Sequence, residues 1–223
     1  YVDLNANGVK DGGEPATVTD VNGDYTFVGL APGTYVIGEV AQDDWSQTWP
    51  TQLDFSTTTT LAVGDQPRTV AQGDLDGDGD LDLVTANFGT NSVSVILNKG
   101  DRTFAAATSV ATGTGPIDAA LFDVNGDGKL DILTANFSAN SVSVLLNNGN
   151  GTFASAVGYS MGTAPRSVIA ADVDGDGDRD LVSANSTSNN VSVRLNNGDG
   201  TFAATTNFAA GTSPFAVRSA DFD

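Results

Sequence analysis

A step of 49 residues governs most of this chain. Asp74, Asp123, Asp172 and Asp221 stand 49 apart, as do Pro67, Pro116, Pro165 and Pro214, and Phe55, Phe104, Phe153 and Phe202. A fixed period of this size marks stacked copies of one supersecondary unit, each of which buries its apolar face only against a neighbour. Within a unit the apolar residues alternate, as at Val93, Val95 and Leu97 or Val142, Val144 and Leu146. Gly, Asn and Asp break these runs at short intervals, so the unit reads as β throughout. In the first copy the expected strands are 68–74, 82–87, 92–98 and 103–112. Four short strands per unit make one propeller blade, whereas a β-solenoid uses a shorter coil. The expected fold is all-β, a partial β-propeller of three four-stranded blades plus a truncated fourth, after a small N-terminal β-sandwich fragment.

Residues 1–50 do not keep the step and are expected to form the sandwich fragment, with 51–54 as linker and 55–223 as blades. The run Thr57–Thr60 aligns with the strand AAATSV of the next copy and is expected inside a blade strand. From Phe55 to Asp223 there are 169 residues, about three and a half units, whereas closed propellers use about four to eight blades. The chain is therefore expected to be a fragment cut at both ends and to fold as an open arc.

Each full copy carries an aspartate-rich loop: DLDGDGDLD at 74–82, DVNGDGKLD at 123–131 and DVDGDGDRD at 172–180. Oxygen side chains fall at positions 1, 3, 5 and 9 with glycine at 6, the spacing by which a calcium loop wraps a hard cation. These are Asp74, Asp76, Asp78 and Asp82; Asp123, Asn125, Asp127 and Asp131; Asp172, Asp174, Asp176 and Asp180. Position 7 is Asp80, Lys129 or Asp178; an ammonium cannot ligate a cation, so this position is expected to offer its backbone carbonyl. The strand after each loop argues for a calcium hairpin over a helix-loop-helix hand. Two carboxylates about 4–5 Å apart repel by roughly 3–4 kcal/mol at an effective dielectric near 20, which counts against metal-free Asp-Gly turns. Magnesium fits less well because it prefers tight octahedral geometry and retained water. A fourth loop runs over residues 3–14, where Asp3, Asn5, Asn7, Val9 through its carbonyl, Asp11 and Glu14 stand at positions 1, 3, 5, 7, 9 and 12. Three calcium sites in the blades and a fourth near the N-terminus are thus expected, the middle blade's being the weakest.

Composition removes other chemistries. The chain has no Cys and no His, which excludes disulfides, zinc fingers, a cysteine nucleophile and a histidine base. A net charge of −19 argues against nucleic acid, whose phosphates need a basic face. No apolar run reaches the length of a membrane span. The start YVDLNANG lacks the basic and apolar regions of a signal peptide, so an export signal is expected upstream if the protein is exported.

The units resemble FG-GAP/VCBS-type repeats, the blades of integrin-α-like propellers, through DxDGDGxxD, the D-L/I-V/L-T/S-A-N strand and the LNNGDGTF hairpin. Residues 1–50 resemble the B-type repeats of serine-aspartate and collagen adhesins, through DLNANGVKDGGEP and DVNGDYTFVGLAPGTY. The resemblance implies a secreted or surface-attached bacterial protein, with calcium held by the loop residues named above, including the carbonyls of Asp80, Lys129 and Asp178. The function expected is a calcium-binding, non-catalytic extracellular adhesion or recognition module of a longer polypeptide, with a protein or polysaccharide ligand. The alternative is the propeller part of a carbohydrate-active or other secreted hydrolytic enzyme. Any partner is expected on the face opposite the calcium loops, at Asn87, Phe88, Asn136, Phe137 and Asn185. Asp118, without a counterpart in other copies, reads as a solvated turn, and Trp45 and Trp49 read as core residues of the sandwich.

Overall fold

In the computed structural model, residues 2–4, 12–16, 27, 30, 36–37 and 60–220 are described. The chain divides into two compact units, residues 1–58 and 59–223. In the first, β1 (Val2–Asp3) pairs antiparallel with β2 (Val36–Ile37). The linker, Phe55, Trp45 and Trp49 lie outside the described residues.

The second unit holds three four-stranded antiparallel meanders. The first blade is β3 (Pro67–Gly73), β4 (Asp82–Asn87), β5 (Ser92–Ile96) and β6 (Thr108–Ala111). The second is β7 (Pro116–Phe122), β8 (Asp131–Asn136), β9 (Ser141–Leu145) and β10 (Val157–Ser160). The third is β11 (Pro165–Ala171), β12 (Asp180–Asn185), β13 (Asn190–Arg194) and β14 (Thr206–Ala209). Inner strands β3, β7 and β11 pack in succession. Among the described residues the sheets do not close on one another, and the fold is an all-β set of propeller blades.

The middle strands are buried on both faces, β8 at all six positions, so the core lies between blades. Leu75, Val84, Val93 and Val95 of the first blade meet Ala119, Ile132 and Leu145 of the second, with Phe153 packed against them. Val124, Leu133, Val142 and Val144 meet Val168, Leu181 and Phe202 of the third in the same way. Phe153 and Phe202 of the phenylalanine series thus pack blade on blade, and full burial of one side chain such as Leu75 contributes about 1.5–3 kcal/mol.

Two local expectations need correction. The outer strand does not run over 103–112: Phe104 forms an isolated bridge with Asn98, and the ladder resumes only at Thr108 opposite Val95. Four steps on one side face three on the other, so an extra residue bulges the strand out of the ladder. Thr60 is not in a strand, and no strand precedes Pro67 in the described part of this unit. In complete blades the outer strand needs the third strand of its own blade as partner, and residues 51–59 lie outside the described part. No helix among the described residues is long and apolar enough to cross a membrane.

Candidate metal centre in the aspartate loops

Each aspartate loop joins the first strand of a blade to the second and is fixed at both ends. Position 2 is a buried apolar anchor in the first two loops, where Leu75 and Val124 are 1% and 2% exposed, whereas Val173 of the third is 49% exposed. Position 9 opens the second strand: Asp82, Asp131 and Asp180 are wholly buried. The amides of Leu75 and Asn98 donate to the two oxygens of Asp82 at 2.8 and 2.7 Å. Val124 and Asn147 do the same for Asp131 at 3.0 and 2.8 Å, and Val173 and Asn196 for Asp180 at 2.8 and 2.9 Å. A carboxylate has about four lone-pair sites, so each of these oxygens keeps acceptor capacity for a cation. Burial nevertheless raises the Asp131 carboxyl above its ordinary range, against the two amides and with Asp127 and Asp123 adding to the rise.

Position 1 shapes the turn. Gly77 and Gly79, at φ of 83° and 91°, turn their amides inward to donate to Asp74 at 2.7 and 3.0 Å. Gly126 and Gly128 donate to Asp123 at 2.8 Å each, and Gly175 and Gly177 to Asp172 at 2.7 and 3.0 Å. This wrapping brings carboxylate oxygens of Asp74, Asp76 and Asp78 within 4.8 Å of one another, and likewise those of Asp172, Asp174 and Asp176. Lost hydration, then the charges of Asp78, Asp82 and Asp74, hold the Asp76 carboxyl above its usual range. Asp174 is raised by the same causes, with Asp176 the largest of the neighbouring charges. Every side-chain donor is oxygen, a set suited to a hard cation such as calcium.

The seventh position points elsewhere. Asp80 Oδ2 lies 2.5 Å from where a Cβ on Gly100 would stand, and Lys129 and Asp178 lean on Gly149 and Gly198 in the same manner. These side chains lie against the next hairpin, and of Asp80 and Asp178 only the backbone remains part of the loop. In the middle loop Lys129 Nζ also meets Asp127 Oδ2 at 3.1 Å. Against a desolvation that would raise it, hydrogen bonds from Lys129 hold the Asp127 carboxyl low. With Asn125 at position 3, this loop gathers two carboxylates where its neighbours gather three.

Of the N-terminal loop, Asn5, Asn7, Val9 and Asp11 lie outside the described residues. Its two ends are brought together: Asp3 is on β1, and the Leu4 amide donates to Glu14 Oε1 at 2.8 Å.

Sequence reasoning passed over Asn147 and Asn196. The side-chain amide of Asn147 donates to Leu75 O of the preceding blade's loop at 2.9 Å and to Leu130 O at 3.0 Å. Asn196 donates to Val124 O at 2.7 Å and Arg179 O at 2.9 Å. The 49-residue series Asn98, Asn147 and Asn196 was the signal that could have marked them. At the opposite end, Asn87, Asn136 and Asn185 are fully buried, which corrects their expected place on a partner surface. Asn87 receives Thr85 Oγ1 at 2.9 Å and donates to Ser94 Oγ at 2.9 Å; equivalent networks recur in the other blades. Phe88 and Phe137 do border a cleft, together with Asp118. Asp118 is no solvated turn: it sits on β7, accepts the Val168 amide at 3.1 Å and is raised by burial.

The family model for FG-GAP-like repeats matches residues 74–134, 123–183 and 172–223. No curated protein matches the chain in sequence. Among solved structures, an Agrocybe aegerita lectin described as recognising non-reducing terminal N-acetylglucosamine is 34% identical, with a TM-score of 0.44 over 60% of this chain and 36% of that one. The Photorhabdus luminescens Tc holotoxin pore is 28% identical, with a TM-score of 0.40 over 65% of this chain and 7% of that one.

Proposed function

The chain belongs to the FG-GAP-like repeat family, and from that premise we propose that it is a calcium-binding, non-catalytic recognition module of a larger extracellular bacterial protein. The observation that carries this reading is the repeated convergence of carboxylates, with Asp74, Asp76 and Asp78, and again Asp172, Asp174 and Asp176, within 4.8 Å. In the first blade Asp74, Asp76, Asp78, the carbonyl of Asp80 and Asp82 hold the ion. Asp123, Asn125, Asp127, the Lys129 carbonyl and Asp131 do so in the second, and Asp172, Asp174, Asp176, the Asp178 carbonyl and Asp180 in the third. Asp3, Asn5, Asn7, the Val9 carbonyl, Asp11 and Glu14 form the fourth site. A bound ion offsets the repulsion within each loop and stiffens a segment that Asn147 and Asn196 tie to the following blade. Repetition at fixed positions supports a scaffold role over a single catalytic pair.

Calorimetric titration of the chelated protein tests the metal reading, with three blade sites and one N-terminal site expected. Extracellular calcium modules bind at about 10⁻⁴–10⁻³ M. At tenfold excess over Kd each site adds about 1.4 kcal/mol of stability, so chelation lowers the melting temperature. Zero stoichiometry, or a melting point indifferent to chelator, refutes it. A glycan and matrix-protein binding screen, with and without calcium, tests the recognition role.

A further inference from the structure

Away from the aspartate loops, the blades gather positive charge. Each inner strand starts with a register shift, between Pro67 and Thr69, Pro116 and Asp118, and Pro165 and Ser167. Arg68, Ile117 and Arg166 are therefore the unpaired bulge residues, and a bulge re-aims its side chain. They border a cleft of about 600 Å³, within the size range of small-molecule sites. Three of the chain's 9 basic residues, Arg68, Arg166 and Arg218, line it, although the net charge is −19. Arg68 lies over the Phe88 ring at 5.0 Å, and Arg166 lies over both Phe137 and Phe215 at 5.1 and 5.0 Å. Among the described residues the one ion pair is Lys129 with Asp127; Arg218 acts on the Asp118 carboxylate across the cleft, whereas Arg68 and Arg166 form no ion pair.

We propose that this cleft binds the acidic end group of a glycan, a sugar ring carrying a single carboxylate. A guanidinium stacked on an aromatic face keeps N–H groups at its edge, a fork that matches a carboxylate; Arg68 spends one of them on Gln66 Oε1 at 3.5 Å and Arg218 one on the Val217 carbonyl at 2.7 Å. A ring hydroxyl finds an acceptor beside these forks. Asp118 accepts the Val168 amide on Oδ2 and is also bonded by the Ser167 side chain and the Ala119 amide, which leaves room for about one more donor on a carboxylate of about four lone-pair sites. Phe215 is 69% exposed and offers an apolar face to the C–H side of a ring. An acidic peptide fits less well, because its successive carboxylates would meet Asp118, and the field of a −19 chain repels a long polyanion.

The inference rests on the reading of the chain as a recognition module, and the cleft contains none of the metal ligands named above. The full calcium-loaded chain is titrated with sodium glucuronate, with glucose and a short acidic peptide as comparisons, by calorimetry and protein NMR. Glucuronate is expected to bind weakly but at least about tenfold better than glucose, and Arg68→Gln or Arg166→Gln to lose about tenfold, as for a charge-assisted hydrogen-bonded contact. Calcium stoichiometry and melting temperature report whether each variant is folded. Equal binding of glucose, undiminished binding by a folded double variant, or preference for the peptide would overturn the proposal. If glucuronate alone fails while the wider screen finds a ligand, only this inference falls; if the screen fails too, the recognition reading falls with it.

Discussion

The two ends of the blades differ in how faithfully the repeat is kept. At the aspartate-loop end, positions 1, 5 and 9 are aspartate in all three copies, and the same backbone amides serve the same oxygens. At the other end the copies diverge: the bulge residue is Arg68, Ile117 or Arg166, the next residue Thr69, Asp118 or Ser167, and Phe88 and Phe137 give way to Ser186. Stacking one blade on the next imposes one recurrent solution, so fidelity marks scaffold. A ligand has no such symmetry, and a site for it must be assembled from copies that differ.

The sharpest way to break this division is to attack fidelity. Asp131→Ala strips the acceptor from two amides beneath a buried loop end, and should cost about 3 kcal/mol or more in urea unfolding. A change below about 1 kcal/mol would show that the position is not structural. The buried networks at the cleft end test whether scaffold extends there. A Cβ on Gly113 would stand 2.6 Å from Asn136 Nδ2, so Gly113→Ala is expected to cost about 1–3 kcal/mol. A neutral result would place slack where the packing shows none.

Lys129 is a departure inside the faithful end. Lys129→Asp removes its pairing with Asp127 and should tighten calcium at the middle loop about two- to fivefold, the scale of an exposed ion pair. Calorimetry on the chain with the outer two loops disabled reads this directly, and unchanged affinity would refute the ranking of the loops.

The smallest effect is a slope. Burial, offset in part by the Val168 amide, Ser167 and Arg218, raises Asp118 in the folded state. The folded chain holds that proton more tightly than the unfolded one, so this contribution is fully present below an unfolded value of about 3.9 and is lost as pH rises through the folded value. Asp118→Asn should therefore gain on the parent between about pH 4 and pH 7. Parallel urea midpoints across that range would contradict it.

The blades were legible because their cause is local and repeated. Alternation such as Val142 and Val144 marks a strand, with these two facing the third blade and Leu145 the first, and the aspartate spacing fixes a turn that must gather oxygens. What escaped depends on register. The bulges at Arg68 and Arg166 add one residue to one strand, and alternation in a single strand cannot reveal its partner's count. Asn87 was misjudged for a related reason: a polar residue at a strand end reads as solvated until Thr85 and Ser94, brought beside it by pairing, enclose it. The recurrence of Asn147 marks its position, but its bond was not legible because its partner Leu75 lies 72 residues away.

That last distance has a consequence for the growing chain. The carbonyl of Leu75 waits for Asn147, and that of Val124 for Asn196, each 72 residues later. At ribosomal rates of about 5–20 residues per second, a completed aspartate loop stands unclasped for on the order of 4–14 s. Each blade therefore matures one blade behind the exit tunnel, and a pause in translation just after a loop would lengthen its exposure without changing a residue.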